Sequence, residues 1–145
     1  MQKSVLEMSF RQMKKNNFIL LIDDDPIANY LNERLIRSLQ ITDEILVALN
    51  GDQALSIIKD KSDQGNDPPD LIILDINMPV MNGLEFLQIF YKGQNREHGK
   101  TKLAVLTTST HQRDYADVYA YGVKDILHKP LTPEKIMGVL NNENR

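Results

Sequence analysis

The chain is 145 residues long, 41% hydrophobic and 26% charged, with 17 Lys and Arg against 20 Asp and Glu for a net charge of -3. Such a composition suits one globular domain with a sizeable core, and so mild and mixed a charge excludes a general binder of the nucleic-acid backbone, leaving no nucleic acid and no membrane surface among the expected partners. No apolar run approaches the ~20 residues of a bilayer span, the amino terminus lacks a signal-peptide core and there is no cysteine, so a soluble, cytoplasmic protein is expected.

Residues 1–17 are polar with scattered apolar side chains and read as an N-terminal extension without a site, ahead of a domain spanning 18–145. Phe18-Ile19-Leu20-Leu21-Ile22 is an apolar run without alternation, the pattern of a strand covered by helices on both faces. It ends in Asp23-Asp24-Asp25. Pro26 suits a first helical turn, and Ile27, Leu31, Leu35 and Leu39 recur at helical spacing through Gln40. Glu44 to Leu49 reads as a strand closed by Asn50-Gly51, followed by a short helix with Ala54, Leu55 and Ile58 on one face and a polar loop from Asp60 to Pro69.

Leu71-Ile72-Ile73-Leu74 is the next buried strand and runs straight into Asp75; Pro79 and Asn82-Gly83 then force the chain out of extended geometry. A helix follows, with Leu84, Leu87 and Tyr91 on one face and Phe86, Ile89 and Phe90 widening it. After a polar loop from Lys92 to Lys100, Leu103-Ala104-Val105-Leu106 forms a strand ending in Thr107-Thr108-Ser109. Ser109 or Thr110 is placed to cap a helix reaching Tyr121, and Gly122 stops it. Asp125 to Lys129 is a short fifth strand, and Thr132-Pro133-Glu134 opens the last helix.

Strands alternating with helices imply right-handed crossovers, hence an α/β fold with one doubly wound five-stranded parallel sheet and five helices on both its faces. Ligands of such sheets bind where the strands end. That edge gathers Asp23, Asp24, Asp75, Thr107 and Lys129. Three carboxylates against one lysine leave about two negative charges, which a low-dielectric crevice does not hold without a counter-ion. A divalent cation meets the need, and all-oxygen ligands favour Mg²⁺ or Ca²⁺ over zinc. A metal, a lysine and a hydroxyl around a carboxylate are what phosphoryl transfer onto that carboxylate requires.

From Asn17 to Asn142 the chain resembles the receiver domain of two-component response regulators, of the stand-alone chemotaxis type. The resemblance rests on Leu21-Ile22-Asp23-Asp24-Asp25-Pro26, Asp75-Ile76-Asn77-Met78-Pro79-Val80-Met81-Asn82-Gly83, Leu106-Thr107-Thr108-Ser109 and His128-Lys129-Pro130-Leu131, in this order. It implies a flavodoxin-like sheet of order 2-1-3-4-5. It implies, too, that Asp75 accepts a phosphoryl group from a sensor histidine kinase or a histidine phosphotransfer protein. Asp23, Asp24, Asp75 and the Asn77 backbone carbonyl would bind Mg²⁺, Thr107 would act as the switch hydroxyl, and Lys129 would pair with the phosphoryl group. The family usually carries Tyr or Phe three residues before the lysine; here that residue is Ile126. With no output domain following the last helix, the expected signal is binding of a downstream protein partner or passage of phosphate onward. The domain is read as a phosphoacceptor rather than an enzyme.

Two other readings fit parts of the pattern. A haloacid dehalogenase-type phosphatase would use Asp23 and Asp25 as its acidic pair, but Ile27 departs from its motif and neither a late acidic pair nor a cap insertion is present. A pseudo-receiver would bind partners without phosphorylation, against the intact acidic set. Asp25 reads as a solvent-facing acid at a helix start, and His98, His111 and His128 as residues without a metal-ligand partner. Tyr115, Tyr119 and Tyr121 read as helix packing and rim, with Tyr119 a candidate for a partner surface.

Overall fold

The apolar runs are strands: β1 Phe18–Ile22, β2 Glu44–Ala48, β3 Leu71–Asp75, β4 Lys102–Thr107 and β5 Asp125–His128. The computed structural model describes residues 18–76, 83–92, 100–108 and 113–141. Every neighbouring pair of strands is parallel, and the order is β2-β1-β3-β4-β5. Between and after them lie α1 Pro26–Leu39, α2 Gly51–Asp63, α3 Gly83–Lys92, α4 Arg113–Ala120 and α5 Pro133–Asn141. The expected doubly wound sheet, with five helices among the described residues, is therefore what forms.

Alternation along the strands, hidden in sequence because both faces are apolar, divides the core in two. Phe18, Leu20, Ile22, Ile72, Leu74, Leu103 and Val105 face one way, against Ala54 of α2, Phe86, Leu87 and Phe90 of α3 and Val118 of α4. Ile19, Leu21, Leu71, Ile73, Ala104 and Leu106 face the other way, against Ile36 of α1 and Ile136 and Val139 of α5. β1 and β3 are buried along their whole length. They carry the acids at their ends, so the acids stand in the middle of the sheet edge.

Several expected boundaries and faces differ. Gln40 does not continue α1 but ends it, in the left-handed region at φ 53°, with its N–H donating to the Arg37 carbonyl. Of the expected α1 stripe, Leu35 and Leu39 pack against the core, but Ile27 and Leu31 do not. The latter two are 70% and 58% exposed, while Asn29 and Ile36 are buried. Asn29, on the buried side, donates from Nδ2 to the Asp23 carbonyl at 2.8 Å. In α3 the buried face is Phe86, Leu87 and Phe90, with the Phe86 and Phe90 rings stacked at 5.6 Å, and Ile89 and Tyr91 point outward. β2 stops at Ala48, not Leu49, and β5 at His128, not Lys129; α4 ends at Ala120, one residue short of Tyr121. Gly122 closes α4 with φ 96° and an N–H donated to the Tyr119 carbonyl. α2 runs to Asp63, into what reads as loop, and in this stretch Lys59 pairs with Asp63 at 2.8 Å and Lys61 with Glu44 of β2 at 2.7 Å. Residues 1–17, His98, the Ser109 and Thr110 caps and His111 lie outside the described residues.

Candidate functional site

Each acid is held by its local backbone. Asp23 follows β1, and its N–H donates to the Ala48 carbonyl at 3.1 Å, so the first residue past the strand still belongs to the sheet. Its Oδ1 accepts from the Asp25 N–H at 2.9 Å, a turn stabilised by its own side chain. Asp25 in turn caps α1, its Oδ1 accepting from Ile27 N–H at 3.0 Å; it is exposed, as read, and has this structural use. Asp75 is the last residue of β3 and faces Leu106 in register on β4. Thr107 ends β4, and its carbonyl accepts from the Lys129 N–H at 3.0 Å.

Asp23, Asp75 and Thr107 are buried polar residues, while Asp24 is exposed. One carboxylate oxygen from each of Asp23, Asp24 and Asp75 lies within 4.8 Å of the others. The Lys129 ammonium sits between the two buried acids, 3.7 Å from Asp23 Oδ2 and 3.6 Å from Asp75 Oδ2. Those distances give ion pairs but not good hydrogen bonds. Asp23 Oδ2 is fully buried and lacks a hydrogen-bond partner. Burial, reinforced by the Asp75 charge, raises the Asp23 pKa above the ordinary 3.8, against the opposing pull of the Asp25 N–H and of Lys129. Asp23, Asp24, Asp75 and Lys129 are thus brought together, with Thr107 at the end of the adjoining strand; Asn77 lies outside the described residues.

A close approach after Asp75 passes unmarked in sequence. The Gly83 N–H donates to the Ile76 carbonyl at 3.0 Å, and a Cβ on Gly83 would lie 2.6 Å from Ile76 Cα and 2.9 Å from its oxygen. Only glycine lets α3 begin against the backbone that follows the acid. Gly83→Ala should therefore push this loop away, costing about 1–3 kcal/mol of stability in chemical denaturation; unchanged stability would show that the loop yields freely. Asn29 likewise escaped notice, because an amide among apolar helix positions looks solvent-facing until the helix phase is known.

The model of the response regulator receiver domain matches residues 19–141. The chain belongs to this family. Among curated receiver-containing proteins, two-component response regulator 24 of Arabidopsis thaliana is 29% identical over 86% of this chain and 82% of its own length. The nitrate/nitrite response regulator NarL of Escherichia coli is 32% identical over 85% of this chain, which spans only 52% of NarL. A two-component response regulator of Cytophaga hutchinsonii has a solved structure with 33% identity and a TM-score of 0.76, covering 86% of this chain and 94% of that one. The chain is thus a response regulator receiver with a flavodoxin-like fold. Receivers generally bind Mg²⁺ at an acidic pocket, and the donor set here fits such a cation: oxygens alone, two of the three acids buried, one buried carboxylate oxygen that accepts no hydrogen bond. Among the described residues no helix is long and apolar enough to cross a membrane.

Proposed function

We propose that this receiver takes a phosphoryl group from the phosphohistidine of a sensor histidine kinase or histidine phosphotransfer protein onto Asp75, in a Mg²⁺-dependent reaction, and signals through a protein partner or by passing the group onward. The observation that carries the reading is the Lys129 ammonium held 3.6 Å from a buried Asp75 and 3.7 Å from a second buried carboxylate, Asp23, whose Oδ2 accepts no hydrogen bond. A carboxylate oxygen of Asp75 attacks phosphorus as the bond from phosphorus to the donor imidazole nitrogen breaks, and the departing imidazole keeps the electron pair and takes up a proton. Lys129 balances charge on the transferring oxygens. Asp23, Asp24, Asp75 and the Asn77 carbonyl would hold Mg²⁺, which when bound supplies further charge neutralisation to the phosphoryl oxygens. A cytoplasmic setting and residues 1–17 as a dispensable extension belong to the same reading.

Intact mass after treatment with phosphoramidate and Mg²⁺ tests it. One phosphoryl adduct mapping to Asp75 is expected; an adduct on Asp23 or Asp24, or release of phosphate from many unrelated phosphoesters, would overturn it.

The switch must work without an aromatic at residue 126. A phosphoryl group adds about 1.5–2 negative charges, and Thr107, a buried hydroxyl residue at the end of the strand beside β3, is the donor that would follow them. Ile126, in register with Val105 and partly buried against the cluster that includes Val118 of α4, is then the group that repacks. Beryllofluoride, mimicking the phosphoryl group, should alter amide exchange in α4 and β5 together. Thr107→Ala should abolish that change and Ile126→Ala should leave most of it; protection confined to the loop after Asp75 would exclude α4 and β5 as the output surface.

A further inference from the structure

The backbone around Lys129 is met by a second lysine. Lys135 is the third residue of α5, and its N–H is capped by the Thr132 hydroxyl oxygen at 3.2 Å. A cation in the first turn of a helix faces the positive end of the helix dipole, so its side chain does not favour that location for electrostatic reasons. It turns back instead. Lys135 Nζ donates to the His128 carbonyl at 2.6 Å and to the Pro130 carbonyl at 2.9 Å, the carbonyls on either side of Lys129.

The first of these bonds has a particular geometry. Among the described residues β5 pairs only with β4 and so forms an edge of the sheet. The peptide unit joining His128 to Lys129 directs its N–H inward, to the Thr107 carbonyl at 3.0 Å, and its carbonyl outward to Lys135. One peptide plane is gripped at both ends, immediately before the residue whose ammonium must stand between Asp23 and Asp75. Without the outer grip, that plane is free to rotate about the inner bond, and a tilt there is magnified along the Lys129 side chain.

We propose that Lys135 is a positioning residue that holds the Lys129 ammonium on Asp75 by clamping the backbone on both sides of it; the inference rests on the phosphoryl-transfer reading of the site. Its test compares wild type, Lys135→Met, which keeps the stem and loses the donor, and Lys135→Arg, which keeps two donors, each with and without Lys129→Ala. The rate of Asp75 phosphorylation by phosphoramidate with Mg²⁺ should fall about fivefold in Lys135→Met, as misplacement of a charge-neutralising group does, and recover most of the loss in Lys135→Arg. In the Lys129→Ala background, Lys135→Met should cause no further fall, because there is no ammonium left to aim. An equal fall in both backgrounds would mean a purely structural role, and an unchanged rate in a protein that does take up phosphate would mean no role; either overturns the proposal. Exchange of the Lys129 amide, read by NMR without any phosphodonor, should quicken several-fold in Lys135→Met. If wild type takes no phosphoryl group, the functional reading fails, and this exchange alone decides the clamp: faster exchange supports it and unchanged exchange overturns it.

Discussion

Asp75→Asn protein treated with phosphoramidate and Mg²⁺ is expected to gain no phosphoryl group, against one group per chain in the wild type. The substitution keeps the shape of the side chain at the end of β3 but replaces a nucleophilic oxygen with an amide, whose nitrogen lone pair is delocalised. It also removes one of the three acids that gather at the mouth of the crevice. Of the neighbouring acids, Asp23 commits Oδ1 to the Asp25 N–H and Asp24 is exposed at the rim, and an adduct on either is the outcome that mapping must exclude. Intact mass and peptide mapping decide the matter, and a persistent adduct would show that another acid accepts the group.

Asp23→Asn should produce the opposite signs in two measurements: weaker Mg²⁺ binding and a more stable metal-free protein. The carboxylate it removes is buried, with one oxygen that accepts no hydrogen bond, and leaving a buried polar group unsatisfied costs about 1–3 kcal/mol, more when it is charged. The melting temperature of the metal-free variant should therefore rise by several degrees. The pH dependence follows from the raised pKa of Asp23, caused first by burial and then by Asp75. The folded state holds this proton more tightly than the unfolded chain does, so stability decreases as pH rises. The penalty is complete above the folded pKa and relieved as pH falls through it toward the ordinary 3.8. Denaturation without Mg²⁺ across this window should show wild type gaining stability relative to Asp23→Asn as pH falls. Parallel curves for the two proteins would mean that Asp23 is stabilised in the folded state as well as it is by water.

What the sequence alone determined was the sheet and its edge. Apolar runs such as Phe18–Ile22 and Leu71–Leu74 have no alternation because helices cover both faces, and the residue types that end those runs, Asp23, Asp75 and Thr107, are legible as chemistry because the parallel topology leaves them one place to meet. The phase of α2 was legible, since Ala54, Leu55 and Ile58 pack on the core as read, but the phases of α1 and α3 were legible only in part. Ile27 and Leu31 face outward while Leu35 and Leu39 of the same row pack on the core, because a row at strict four-residue spacing drifts around a helix of about 3.6 residues per turn. Nor does helical pattern tell Phe86 from Ile89; the facing sheet does. The space around Gly83 and the reach of Lys135 across the Lys129 backbone also depend on how two segments meet. Periodicity records which side chains are apolar, and only tertiary packing decides which of them are covered and which backbone groups a long polar side chain finds within reach.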